Sequence, residues 1–177
     1  MNKIYTILGP SGSGKSTLVD YAKENINISE IISHSTRGMR DGECEGNPYY
    51  FVSEEEFENI DFIEEVEYAG NKYGISYNEV ESKLNGDNDL VVIVDAEGIK
   101  QLIELYDERV EIVYIYSTVK ECYNRMNKSR GHDQAMKRLA NAVLDEEFDN
   151  HDIADYIIRN KDLDKAKKQI VDILGGV

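Results

Sequence analysis

The 177-residue sequence predicts a single α/β domain, a parallel sheet flanked by helices, and three observations lead there. Short apolar runs of the kind buried on both faces of a sheet alternate with longer segments whose apolar residues recur at three- and four-residue spacing. The first apolar run passes directly into a glycine-rich loop and then into a helix-like segment. The length suits one compact domain with small insertions.

The elements follow in order. Residues 4–8, Ile-Tyr-Thr-Ile-Leu, read as the first buried strand, and residues 16–25 as an amphipathic helix. Residues 31–35 read as the second strand. Between residues 36 and 79 the pattern changes to short alternating pieces: 49–53, a short helix over 54–59, then 62–68 and 72–76 about Ala69-Gly70-Asn71. This reads as an inserted hairpin unit, because the Gly70-Asn71 pair tolerates the positive φ of a turn. Residues 90–94, 110–116 and 156–158 are the remaining strands, and 96–106, 119–128, 133–148 and 162–174 the remaining helices. Ser129, Gly131 and His132 interrupt the pattern over 128–134, which reads as a mobile flap.

Composition limits the function. Hydrophobic residues make up 41% and charged residues 31%, as in a soluble globular chain, and no apolar stretch reaches membrane-span length. The formal net charge of -15 argues against nucleic acid or an anionic membrane as partner, since clustered Lys and Arg hold both. A small anionic substrate needs positive charge only inside its own pocket. Cys44 and Cys122 stand apart and outside metal-ligand spacing, which predicts free thiols, and His34, His132 and His151 show no zinc-type spacing. The opening strand meets its glycine loop with no signal-peptide pattern, so a cytoplasmic protein is expected.

Gly9-Pro10-Ser11-Gly12-Ser13-Gly14-Lys15-Ser16 fits GxxxxGK[ST], between an apolar strand and a helix as that motif requires. Its glycines let successive backbone N–H groups turn inward around phosphate oxygens, and the helix that follows adds its positive end. Lys15 is placed to reach the β- and γ-phosphates and the Ser16 hydroxyl to meet Mg2+. A loop of this kind identifies a nucleotide, not a reaction. Arg37 and Arg40 lie three residues apart in a turn-rich segment after a strand, where two guanidinium groups can grip one phosphate by forked hydrogen bonds.

With these residues in place, the chain resembles the guanylate kinase family over nearly its whole length. The resemblance rests on the glycine loop, residues 33–43, Gly46-Asn47-Pro48-Tyr49-Tyr50-Phe51-Val52-Ser53, Phe62-Ile63-Glu64, Gly70-Asn71-Lys72-Tyr73-Gly74, Asp95-Ala96-Glu97-Gly98 and Asn160-Lys161-Asp162-Leu163, in family order and spacing. It implies a P-loop kinase core over 1–33, 80–124 and 139–177, a nucleoside monophosphate-binding insertion over 34–79 and a short lid over 125–138. It further implies that Gly9, Ser11, Gly12, Ser13, Gly14, Lys15, Ser16 and Thr17 bind ATP, with Asn160 at the donor adenine. Arg37, Arg40, Tyr49 and Tyr73 would hold the acceptor phosphate, and Ser33 and Glu64 its base. Asp95 would lie near Mg2+ and the acceptor, and Arg125, Arg130 and Arg138 would close over the phosphates. Guanine chemistry agrees, since its N1–H and exocyclic amine are adjacent donors that one carboxylate accepts together, whereas adenine N1 is an acceptor.

Several family positions are altered. Ile75 stands where the family has a hydroxyl for guanine O6, Ile93 where it has an acid, Met39 for a proline and Glu65 for an aromatic residue. The lid from Arg130 to Arg138 is short, with His132 for the usual threonine, and the span from Arg125 to Arg130 is one residue longer. The expected activity is transfer from MgATP to GMP or dGMP by a monomer or weak homodimer. The alternatives are another phosphorylated acceptor, such as a different nucleoside monophosphate or a ribose bisphosphate, and a non-catalytic phosphopeptide-binding module.

Overall fold

The computed structural model describes residues 1–68 and 70–176. Strands β1 (Ile4–Leu8), β2 (Ile28–Glu30), β7 (Asp89–Ile93), β8 (Val110–Tyr116) and β9 (Tyr156–Arg159) form a parallel sheet in the order β2-β7-β1-β8-β9. Because successive side chains of a strand point to opposite faces, β1 serves two cores at once. Tyr5 and Ile7 join Val91, Val113, Ile115 and Ile158 against helices α1 (Lys15–Asn25) and α7 (Leu163–Leu174). On the other face Ile4 packs with Leu90, Val92 and Leu102, and Leu8 with Ile99, Ile112 and Tyr114, beneath helix α4 (Ala96–Tyr106). A sheet covered on both sides accounts for the continuous apolar runs that identified its strands.

A second, four-stranded sheet is built from β3 (His34–Ser35), β4 (Tyr50–Phe51), β5 (Phe62–Tyr68) and β6 (Asn71–Ser76), ordered β4-β3-β6-β5. Helix α2 (Glu54–Glu58) starts with a reciprocal cap in which Ser53 and Glu56 satisfy each other's backbone N–H groups. Its Phe57 is buried and lies 4.2 Å, centroid to centroid, from Phe62. β5 and β6 form the hairpin read from the sequence; Gly70 in its turn has φ +77°, and Ala69 lies outside the described residues.

Three elements differ from the sequence reading. Residues 31–35 are not one strand. Ile31 N–H still donates to Val91 O at 2.8 Å, but Ile32 N–H is taken by the buried Glu79 carboxylate at 2.8 Å, and the chain then leaves the core for the second sheet. The core strand is the more polar β2 just before it, with Ile28 buried. Glu79 itself sits on helix α3 (Tyr77–Leu84), which the sequence reading lacks, since apolar residues mark its buried face only at Val80 and Leu84. Finally, residues 128–134 are helical apart from Gly131, which alone separates α5 (Val119–Arg130) from α6 (His132–Leu144). Ser129 stays in the helix by donating its hydroxyl to Arg125 O at 3.1 Å, and the break falls at Gly131, whose φ of +83° and ψ of 167° only glycine adopts readily. α6 also stops at Leu144, four residues before the expected end at 148, where the chain turns through Glu146 at φ +53°.

Candidate active site

The phosphate loop leaves the carboxyl end of β1, the central strand, at the edge of the parallel sheet where such folds bind ligands. No side chain caps the start of α1, so its first-turn N–H groups keep their capacity for an anion. Ser16 and Thr17 are exposed in that turn. Lys15 Nζ folds back onto the carbonyls of Gly9 and Pro10, and burial pushes its pKa down while Glu147 opposes the shift. Gly12 has no room for a side chain, because a Cβ there would lie 2.9 Å from Cys122 O and 2.9 Å from Met126 Cγ on α5.

Arg125 and Asn160 hold the loop from behind. Arg125 donates to Ser13 O at 3.1 Å, to Ser117 Oγ at 2.9 Å and to Asn160 O, and the buried Asn160 amide donates to Ser13 O at 2.7 Å. The sequence reading set Arg125 over the phosphates and Asn160 at the adenine; in this conformation both brace the loop backbone. Arg138, on α6, reaches the front of the loop, its Nε donating to Ser11 Oγ at 3.1 Å. Arg130 is exposed at the end of α5. Sequence reasoning missed Glu147, whose Oε2 accepts from Ser11 N–H at 2.7 Å.

The second group of predicted residues gathers on the four-stranded sheet. Arg37 forms a forked pair with Glu43, Nη1 to Oε2 at 2.9 Å and Nη2 to Oε1 at 3.0 Å, and its guanidinium lies 5.3 Å from the ring centroids of both Tyr49 and Phe51. Tyr49 and Tyr73 meet edge to face at 5.5 Å. Glu43 also accepts from Arg40 N–H at 2.8 Å, and Arg37 first, then that N–H, hold its pKa below the usual carboxylate range. The Arg40 side chain is exposed, and Ser33 is half-buried just before β3.

Glu64 stands on β5 opposite Ile75, just after an irregularity in the β5–β6 register. It is half-buried, and burial, helped by the negative charge of Asp95, pushes its pKa up to about 7. No hydrogen bond to its carboxylate occurs among the described residues. Gly98 makes space for it, since a Cβ at that position would stand 3.3 Å from Glu64 Cγ and Cδ. Asp95 is exposed and caps α4, its Oδ1 accepting from Gly98 N–H at 2.9 Å. Of the altered family positions, Ile75 is fully buried in the core with Ile4, Ile63 and Leu90, and Ile93 packs against the α1–α7 core. The histidines and carboxylates form no cluster able to hold a metal among the described residues, and none of the described helices is long and apolar enough to cross a membrane.

A central parallel strand feeding a GxxxxGKS loop, in a sheet helix-covered on both faces, defines a P-loop nucleotide-binding fold. The guanylate kinase family profile matches residues 1–176. The guanylate kinase of Hahella chejuensis is 34% identical over 176 residues, covering 95% of this chain and 83% of that protein. That of Fusobacterium nucleatum is 30% identical over 181 residues, covering 98% and 96%. The crystal structure of guanylate kinase from Anaplasma phagocytophilum superposes with a TM-score of 0.76 at 28% identity, covering 99% of this chain and 85% of that one. The chain belongs to the guanylate kinase family.

Proposed function

We propose that the protein transfers the γ-phosphoryl group of ATP to GMP or dGMP, giving ADP and the nucleoside diphosphate, with residues 34–79 as the acceptor-binding insertion and 125–138 as the lid. The observation that carries the base assignment is Glu64, a half-buried carboxylate with a raised pKa and no hydrogen-bond donor among the described residues, suited to the paired N1–H and amine donors of guanine. Ser33, just before β3, would add a second polar contact to the base.

Each residue has a physical role in this reading. Lys15 leaves the Gly9 and Pro10 carbonyls for the β- and γ-phosphates, joined by the loop's N–H groups and the start of α1. Arg125 and Asn160 fix the loop carbonyls from behind, so that its donors face the cleft. Arg37 exchanges Glu43 for the acceptor phosphate, with Arg40, Tyr49 and Tyr73 beside it. Arg138 and Arg130 complete the charge over the transferring group, and closing the lid keeps water out.

The Ser16 hydroxyl and the second carboxylate oxygen of Asp95 are hard oxygen donors of the kind Mg2+ takes, an ion that keeps several waters and draws most of its remaining ligands from phosphates. Bound there, Mg2+ would neutralise charge on the transferring phosphoryl group. Transfer between two anions needs positioning and charge more than proton removal, so no side chain is assigned as general base.

The test is a coupled ADP-release assay with MgATP and each of GMP, dGMP, AMP, CMP and UMP. Turnover selective for GMP or dGMP is expected. Equal turnover with AMP would remove Glu64 as base reader, and silence with all five would favour a non-nucleotide acceptor or an inert binding domain.

A further inference from the structure

Glu147 belongs to the turn after α6, and three hydrogen bonds fix its place. Its own N–H donates to Ala142 O at 2.9 Å, Tyr114 OH donates to its carbonyl at 2.8 Å, and its carboxylate accepts Ser11 N–H at 2.7 Å. Glu146, in the left-handed region at φ +53°, redirects the chain so that the next side chain meets the loop. Ser11 N–H belongs to the loop read as the phosphate seat, and a carboxylate oxygen is an acceptor of the same kind and charge as a phosphate oxygen. Glu147 is also the foremost negative charge acting on Lys15, and Arg138 bonds the hydroxyl of the same Ser11.

We propose that Glu147 is a tethered anion that occupies part of the donor-phosphate seat and sets the affinity for ATP, because the triphosphate must displace it from Ser11. The inference rests on the reading of this loop as the ATP site. Displacement breaks only the carboxylate's bond to Ser11, while the bonds of Glu147 to Ala142 and Tyr114 keep the turn after α6 in place.

Two variants and two measurements test it. Glu147→Gln keeps size and backbone but removes the charge, and Tyr114→Phe removes the anchoring hydroxyl without touching the carboxylate. In Glu147→Gln the KM for ATP should fall by roughly three- to tenfold, the scale of one modest hydrogen bond, while the KM for GMP stays. Inorganic tripolyphosphate, titrated calorimetrically without acceptor, should bind Glu147→Gln tighter by a similar factor, with Tyr114→Phe shifting the same way by less. Unchanged or weaker tripolyphosphate binding in Glu147→Gln, including a lower melting temperature with unaltered affinity, would overturn the proposal. The calorimetry needs no turnover, so it judges Glu147 even if every nucleoside monophosphate fails as acceptor.

Discussion

The two regions proposed to bind anions each hold a glutamate of the chain itself, but by different routes. At the four-stranded sheet, Glu43 reaches Arg37 from six residues away and grips it with both oxygens. At the phosphate loop, Glu147 reaches Ser11 from 136 residues away and takes a single backbone N–H. A local forked pair is strong and re-forms quickly when its ligand leaves, whereas a distant single contact depends on the placement of a whole helix. The comparison teaches that two similar electrostatic problems in one protein can be solved by neighbouring sequence in one case and by tertiary structure in the other.

Substitutions in each region show whether the two act independently. Lys15→Met removes the charge that follows the transferring phosphoryl group, and kcat should fall by about a hundred- to a thousandfold or more with the KM for GMP little changed, as read by steady-state kinetics. Near-native turnover would discard the mechanism. Arg37→Ala should raise the KM for GMP by about ten- to a hundredfold and leave the KM for ATP in place. Adding Glu43→Gln should recover part of that loss, since the orphaned Glu43 charge would otherwise repel the incoming phosphate. A shift in both KM values from Arg37→Ala would show the regions to be coupled.

Glu64 gives the third test. In the proposed site guanine would take the ionised carboxylate, so the KM for GMP should rise as pH falls through about 7, and Glu64→Gln should be weaker for GMP by about tenfold at pH 8 with that pH dependence gone. A pH-independent KM in the unmutated protein would dissociate Glu64 from the base. The smallest effect is on stability. The folded-state pKa of about 7 lies above the ordinary 4.5, so this group's favourable contribution is complete below about pH 4.5 and lost as pH rises through 7. Glu64→Gln should therefore melt higher than the unmutated protein at pH 8, and the difference should shrink towards pH 5, as calorimetry would report.

The same divide between local and distant separates what the sequence made legible. The strand, glycine loop and helix around Lys15 were readable because they are contiguous. β1, β7 and β8 were readable because burial on both faces leaves unbroken apolar runs. β2 was misplaced because the apolar pair Ile31-Ile32 follows it, and the element that ends pairing there is the carboxylate of Glu79, 47 residues from Ile32. α3 went unread because its apolar stripe is narrow. Glu147 looked like one more acid in Asp145-Glu146-Glu147, and only the fold brings it to Ser11. The bracing by Arg125 was hidden for the same reason, since its partners come from the loop, Ser117 and Asn160.

Gly131 adds a mechanical consequence. With one residue between them, and Cys122 and Met126 packed on Ala135, α5 and α6 form the two jaws of a caliper cut from a single piece. One jaw grips the phosphate loop at its back through Arg125, and the other touches its front through Arg138. The front and the back of the loop are thus held by one helix pair joined at Gly131, so the place of Arg138 and the grip of Arg125 are set together by how α5 packs on α6.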